Sequence, residues 1–390
     1  MKRIAYKYRL YPNNSQKEFF AKCFGCVRFF YNKSLSDMND IYEATGKFKN
    51  ITPASYKEDF PFLKEVDSLA LSNAQLNRNI AFKDFMKQRY KNNKDKPNFK
   101  SKRNDQSYTT NNQKGSVKIS DNHRYISIPK CQRIRIKMHR LFEGMIKSIT
   151  VSRTTDNKYY VSLLVETNIE PLESTNKMIG LDLGIKDLIV DSNGHKYKNH
   201  KYLTKSQNKL SKEQRKLSKM VKGSNNRNKQ RIKIARLHKK IQNQRNDYLH
   251  KLSRRIIDEN QVIALEDLKV INMEHKNKLA RNITDASWSR FVTMLTYKAN
   301  WYGRTIIKVP SNYPSSQLCS ICSYKNSITK DLGIRKWTCP KCGTIHDRDI
   351  NAAKNILSKG IEILTKDGTH PDSLFMLESL DSSSKKPPLL

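Results

Sequence analysis

The sequence predicts a multidomain protein of mixed class. A β-barrel-like domain with a helical insertion occupies about residues 1–172, and an α/β domain occupies about 173–367. Three patterns predict this. Short β-rich runs fill residues 107–170, and apolar residues at helical spacing separate them from a first strand. In the second half, unbroken apolar runs that read as buried strands are interleaved with long helical stripes. Two Cys-x2-Cys pairs near the C-terminus mark a small inserted module.

Taken in order, residues 2–11 alternate, with Ile4, Tyr6, Tyr8 and Leu10 on one face, and Ser15 is placed to cap the helix that follows Pro12. Phe19, Phe20, Cys23, Cys26, Val27 and Phe30 recur every three to four residues, and a second helical stretch spans about 68–90. Residues 14–94 therefore form the insertion, and 1–13 with 95–172 form the barrel-like domain, after a basic break at Pro97. Tyr125-Ile-Ser-Ile, Arg133-Ile-Arg-Ile-Lys, Ile149-Thr-Val and Tyr159-Tyr-Val-Ser-Leu-Leu-Val supply its strands, and Pro171, Ser174 and Thr175 mark the boundary. Beyond it, Met178-Ile-Gly-Leu-Asp-Leu and Leu188-Ile-Val read as strands with a turn at Asp191-Ser-Asn-Gly194. A basic helical region, the buried strand Val262-Ile-Ala-Leu-Glu, a helix from Asp285 to the stop at Gly303 and the strand Ile306-Ile-Lys-Val come next. The cysteine module (313–345) precedes a last helix at Asn351, and a Ser/Pro-rich tail (368–390) is expected to be mobile.

The chain carries 75 Lys and Arg against 36 Asp and Glu, a net +39 over 390 residues. Self-repulsion on that scale opposes compaction until a polyanion neutralises it. Yet 18 Tyr, 14 Phe and 3 Trp exclude a basic disordered tail. No apolar run approaches the ~20 residues of a membrane span, the N-terminus lacks the apolar stretch of a secretory signal, and an odd cysteine count fits a reducing compartment. The expectation is a cytoplasmic, nucleoid-associated protein of prokaryotic type, partnered by nucleic acid and not by membrane. Residues 201–255 concentrate the charge, with 19 basic residues against Glu213 and Asp247 alone. Like charges at i,i+4 destabilise a helix, and a phosphate backbone relieves them while releasing counterions. Lys229, Arg231, Lys233, Arg236 and Lys240 are the candidate contacts there, and Gln75, Asn77 and Arg78 on the second predicted helix are candidates for reading bases.

Two acids sit where apolar residues are expected. Asp182 lies between Leu181 and Leu183, and Glu266 ends the run Val262–Leu265. A carboxylate in such a setting needs a cation or hydrogen bonds. Taken singly, each has an ordinary reading as an end-of-strand acid facing solvent or a basic side chain, and Asp349, at the start of a helix, reads as a cap. Three acids on two strands and a helix start can instead converge on hard divalent cations, and two Mg²⁺ ions ~3.5–4 Å apart can hydrolyse a phosphodiester. Asp267 and Asp347 are neighbouring alternatives that periodicity does not exclude. Cys319, Cys322, Cys339 and Cys342, with sixteen residues between the pairs, have the spacing of a closed, structural Zn²⁺ site. Cys23 and Cys26 repeat the C-x2-C spacing on an apolar helix face and read as core.

These motifs, in this order, resemble the transposon-encoded TnpB family. The resemblance rests on Gly180-Leu-Asp-Leu-Gly-Ile, Leu265-Glu-Asp-Leu, the four cysteines and Asp347-Arg-Asp-Ile-Asn-Ala-Ala. It extends to Phe24-Gly-Cys-Val-Arg-Phe, Pro97-Asn-Phe-Lys-Ser-Lys, Tyr297-Lys-Ala-Asn-Trp-Tyr and Ser315-Ser-Gln-Leu-Cys-Ser, and so to about residue 365. It implies a wedge-like first domain and an RNase H-like (RuvC) nuclease domain with an inserted zinc ribbon. It implies Asp182, Glu266 and Asp349 as the catalytic, Mg²⁺-holding acids, which chooses among the neighbours. It also implies a transposon-derived guide RNA as cofactor, double-stranded DNA beside a short flanking motif as target, and the element's transposase as a further partner. Ser323 departs from the glycine usual after the first cysteine pair, so that turn is expected to differ. The alternative, a guided repressor that binds without cutting, is disfavoured because all three acids are present. A strand-transfer enzyme finds no His-x-His pair with a tyrosine motif.

Overall fold

The computed structural model describes residues 1–89, 96–104, 106–268, 280–331 and 333–366. The expected tail at 368–390 lies outside the described residues, as do residues 90–95 of the basic break. The chain divides into two compact units, one of Met1–Asn168 with Asn228–Ala235, the other of Ile169–Arg227 and the chain from Arg236 onward.

The first unit is built on a seven-stranded antiparallel sheet. Its strands are β1 (Lys2–Tyr11), β2 (Gln106–Asn111), β3 (Lys118–Ile119), β4 (Tyr125–Ile128), β5 (Cys131–Lys137), β6 (Met145–Arg153) and β7 (Tyr159–Thr167), in the order β2-β6-β7-β1-β5-β4-β3. β2 and β3 are its edges, so the barrel-like sheet is a curled half-barrel. The alternation of β1 buries Tyr8 and Leu10 as its pattern requires. Two helices, α1 (Asn14–Thr45) and α2 (Ser68–Arg89), are inserted after β1. The cap of α1 is Asn13 rather than Ser15: Gln16 N–H donates to Asn13 Oδ1 at 2.9 Å, and Asn13 N–H donates back to Gln16 Oε1 at 3.0 Å. This reciprocal pair satisfies two amides that a lone Ser15 hydroxyl would leave open. Phe20, Phe24, Tyr108 and Tyr159 cluster in the core, where Cys23, Cys26 and Cys131 are also buried.

The second unit contains a five-stranded mixed sheet. Its strands are β8 (Met178–Leu183), β9 (Asp187–Asp191), β10 (Lys196–Lys198), β11 (Val262–Glu266) and β12 (Thr305–Val309), in the order β10-β9-β8-β11-β12. The first three form an antiparallel meander, and β8, β11 and β12 run parallel. That is the arrangement expected of an RNase H-like domain. Helices α3 (Tyr202–Ser218) and α4 (Asn225–Glu259) follow β10, α5 (Ala280–Ala286) and α6 (Trp288–Tyr302) follow β11, and α7 (Arg348–Lys366) closes the described chain. A two-stranded ribbon, β13 (Lys336–Thr338) with β14 (Ile345–Asp347), precedes α7. Asp285 does not begin a helix. It lies in the last turn of α5, and its buried carboxylate accepts the Leu203 and Thr204 amides at the start of α3. The helix expected there starts instead at Trp288, after Ser287 in a left-handed conformation.

Candidate functional site

The parallel pairing of β8 and β11 sets Leu181 opposite Leu265, so Asp182 and Glu266, the next residues along each strand, are neighbours at the carboxyl end of the sheet. Leu181, Leu183 and Leu265 enter the apolar core. Alternation then turns Asp182, with Gly180, and Glu266, with Ala264, toward the other face, which is the face α7 covers. A Cβ on Gly180 would stand 2.1 Å from the Ala353 carbonyl oxygen, and one on Gly360 would stand 2.6 Å from Ala264 Cβ. These glycines let α7 lie directly on the two strands. Asp349, one turn before Ala353, is thereby brought to the same end as the other two acids.

Crowding is visible in the protonation. Burial, then the charges of Glu266 and Asp349, push the Asp182 carboxyl up to about 8, against the opposing Arg348 and Arg335. Burial also raises Glu266, opposed by the Ser315 hydroxyl, which donates to Glu266 Oε1 at 2.6 Å. Asp349 lies in the first turn of α7, at the positive end of the helix dipole, and Arg335 approaches both its oxygens at 3.4 Å. The set is short of positive charge and offers only oxygen donors, which suits hard divalent cations.

The neighbouring acids do other things. Asp267 is exposed and pairs with Lys308 at 3.0 Å, on the opposite side of β11 from Glu266. Asp347 is the cap of α7: its Oδ1 accepts the Asp349 and Ile350 amides at 3.1 and 3.2 Å, and Lys196 donates to Oδ2 at 2.6 Å. Burial opposes ionisation of Asp347, but these partners outweigh it and hold the group below its usual value. Capping, the ordinary role open to Asp349, thus falls to Asp347.

The ribbon brings Cys319, Cys322, Cys339 and Cys342 together with all four Sγ atoms within 4.8 Å of one another. Two of the pairs stand at 3.6 Å, Cys319 with Cys342 and Cys322 with Cys339. Four thiolates ~2.3 Å from one tetrahedral Zn²⁺ stand ~3.8 Å apart, so the cage fits that ion. The two knuckles have the same form. Ser323 and Gly343 both take left-handed backbones (φ 59° and 71°), and their amides donate to the Cys319 and Cys339 carbonyls at 2.9 Å. The serine therefore leaves the expected turn unchanged. His346, next to the capping Asp347, is buried against the cage, with Nε2 3.1 Å from Cys319 Sγ.

The candidate nucleic-acid contacts divide. Lys229, Arg231, Lys233, Arg236 and Lys240 are all exposed on α4. Asn77 is exposed, and Gln75 is half-buried and donates to Asn50 at 3.0 Å. Arg78 is fully buried, with its guanidinium donating to the Ile51 carbonyl at 2.9 Å and to Asn79, so its assignment as a base reader is corrected to a structural one. In the first unit, a cavity of about 670 Å³ gathers Arg28, Lys102, Arg103, Arg153 and Arg231. Of these, only Arg231 lies in the basic run that stands out in the sequence. Arg28 and the adjacent pair Lys102 and Arg103 lie in or beside stretches the sequence already marks, but nothing local joins them to one another or to Arg153.

Residues 159–277 match the family OrfB_IS605, described as "Probable transposase", and 288–356 match the Cas12f1-like TNB domain. Residues 1–47 match a family described as a helix-turn-helix domain, although here they form one strand and one long helix. A Streptomyces pristinaespiralis protein named as a candidate RNA-guided DNA endonuclease is 37% identical over 366 residues, covering 92% of this chain and 89% of that one. The similarly named InsQ of Escherichia coli K12 is 31% identical over 394 residues, covering 93% of this chain and 94% of its own. Among solved structures, Cas12f1 in complex with guide RNA and target DNA superposes with a TM-score of 0.57 at 17% identity, over 88% of this chain and 83% of that one, a likeness of fold.

Proposed function

The chain belongs to the TnpB family of IS605-type elements, and from that premise we propose that it is an RNA-guided DNA endonuclease that cuts by metal-assisted phosphodiester hydrolysis. The observation that carries the chemistry is the meeting of Asp182, Glu266 and Asp349 on one face of the mixed sheet, with Asp182 pushed up to about 8. Perturbed acids clustered this way are a mark of function.

Asp182, Glu266 and Asp349 would hold two Mg²⁺ ions, which would supply charge for the attacking and leaving oxygens of the phosphodiester. The chain's own contribution is placement. β8 and β11 fix two carboxylates side by side, and α7 sets the third within the positive field of its N-terminus. Arg335, beside Asp349, adds a cation to the same site. Cys319, Cys322, Cys339 and Cys342 would hold one structural Zn²⁺, which leaves no open position for chemistry.

Partners follow from charge and family. A guide RNA derived from the element would neutralise a net +39, with the exposed α4 residues and the basic cavity of the first unit among its contacts. Double-stranded DNA would be read by base pairing to the guide, beside a short flanking motif read by the protein. The transposase of the same element is a further expected partner. The test is a plasmid assay with protein purified together with its RNA in Mg²⁺. Cutting that follows the guide sequence supports the reading, and cutting indifferent to the guide contradicts it.

A further inference from the structure

Two residues of α7 and one serine connect the cysteine cage to the acids. Asn351 and Asn355 are one turn apart on α7 and almost fully buried. Asn351 grips the backbone on both sides of Cys319: its Nδ2 donates to the Leu318 carbonyl at 2.6 Å, and its Oδ1 accepts the Ser320 amide at 2.9 Å. Asn355 Nδ2 donates to the same Leu318 carbonyl at 2.7 Å and to the Ser315 carbonyl at 2.8 Å. Ser315, so held, donates its hydroxyl to Glu266 Oε1 at 2.6 Å. The stretch 315–320 is thus clamped to the helix that bears Asp349, contains the first cage cysteine and reaches the second acid.

We propose that Ser315 is the positioning residue of Glu266, with Asn351 and Asn355 fixing its place by clamping the 315–320 backbone to α7. The proposal rests on the reading of Asp182, Glu266 and Asp349 as a cation site and deepens it. A carboxylate at a strand end keeps free rotation about its last bonds, and two acids on different strands and a third on a helix have no common frame. Ser315 removes rotation from Glu266 by engaging one oxygen, which leaves Oε2 for a cation. The same backbone stretch ties that oxygen to the helix of Asp349. Partners that orient a ligating carboxylate typically change metal affinity by ~10–100-fold when removed. Ser315 itself touches neither substrate nor ion, so its loss acts through Glu266.

The experiment uses the full chain with its guide RNA and follows single-turnover cutting of a matched DNA target across a Mg²⁺ titration, with target occupancy measured in the same samples. Ser315→Ala is expected to raise the Mg²⁺ concentration for half-maximal rate about 10-fold while occupancy stays at the wild-type level. Ser315→Thr, which keeps the hydroxyl, should return most of the loss, and Asn355→Ala should shift the Mg²⁺ requirement in the same direction as Ser315→Ala. Mn²⁺, which oxygen and nitrogen sites do not bind as tightly as later transition metals but which dehydrates more readily than Mg²⁺, should restore the Ser315→Ala rate at saturation. An unchanged Mg²⁺ requirement in Ser315→Ala, or a loss confined to target occupancy, would overturn the proposal. If the wild type ignored Mg²⁺, or Asp182→Ala cut normally, the parent reading would fail instead. A Ser315→Ala protein too unstable to assay leaves the test to Asn355→Ala, whose wild-type Mg²⁺ requirement would likewise overturn it.

Discussion

Asp156 in the first unit and the half-buried Asp182 in the second both meet a burial penalty, and the two acids behave in opposite ways. Asp156, in the hairpin between β6 and β7, is 3% exposed, accepts the Thr154 hydroxyl at 2.5 Å and pairs with Lys158 at 3.0 Å. Burial opposes its ionisation, but those local partners win and hold it below the usual value. Asp182 is pushed the other way, up to about 8, by burial and by two further acids. The first sheet satisfies its acid within a few residues of chain. The second does the same for Asp191, which accepts the Asn193 and His195 amides at 2.9 Å, but at the end of β8 it gathers acids from three distant segments and leaves Asp182 in want of charge. Unsatisfied electrostatics in an otherwise well-packed domain therefore separate the chemical site from the structural one.

The largest expected effect comes from removing an acid. Glu266→Ala and Asp349→Ala should each abolish detectable cutting of a guided target with little change in its binding, because binding rests on many basic residues elsewhere. Asp156→Ala should lower the melting temperature and leave the cutting rate per folded molecule intact. Asp267→Ala, which breaks only the exposed pair with Lys308, should do little to either.

Next in size is the cage. Metal analysis should find about one zinc per chain, and Cys339→Ser should lower the melting temperature by about 5–10 °C with loss of that zinc. Cys23→Ala, in the C-x2-C of the first unit, should keep it. Equal zinc loss from both variants would show that the two pairs were wrongly distinguished. Gly180→Ala is a comparable disruption. Its methyl would meet the Ala353 carbonyl, so α7 must shift, at a cost of about 1–3 kcal/mol and with a cutting defect that Gly46→Ala would not share.

Smaller and more diagnostic is the response to pH without divalent cations. The folded Asp182 holds its proton to about 8, whereas the unfolded chain releases it near 3.8. Between those values the native state binds the extra proton, so this group's contribution to stability declines as pH rises and levels off above about 8. Asp182→Asn should flatten that decline in thermal melts, and saturating Mg²⁺ should flatten it in the wild type. Asp156 should show the reverse sign, its contribution being lost as pH falls through its lowered value. Smallest of all, Ser323→Gly relieves a left-handed serine at the first knuckle and should change ribbon stability by no more than about 1 kcal/mol.

Much of this fold is legible in the sequence because it has a period. The alternation of β1, the strands β4, β5 and β7, the continuous apolar runs of β8 and β11, and the cysteine spacing are all local patterns. Asp182 and Glu266 stand out because each interrupts or ends such a run. Contacts between distant segments have no period, and there the reading stops. Nothing in the local sequence of Asp347 and Asp349 says which caps α7, since that depends on the turn from β14. Arg78 resembles any surface arginine until Ile51 and Phe30 close over it. Ser315 and Asn351 fall in stretches the sequence marks and Asn355 stands among apolar neighbours, but their link to Glu266 exists only once α7 packs on β8 and β11. Asp285 stands at a helix start in sequence but caps a helix some eighty residues earlier.

Asp182 is proposed to hold cations for the chemical step. The most direct measurement is single-turnover cleavage of a guided DNA target by the RNA-loaded wild type and Asp182→Ala, with target occupancy recorded in the same samples. Full occupancy by both proteins is expected, with Mg²⁺-dependent cutting by the wild type and none by the variant. Cutting by Asp182→Ala at the wild-type rate in Mg²⁺ would contradict that role.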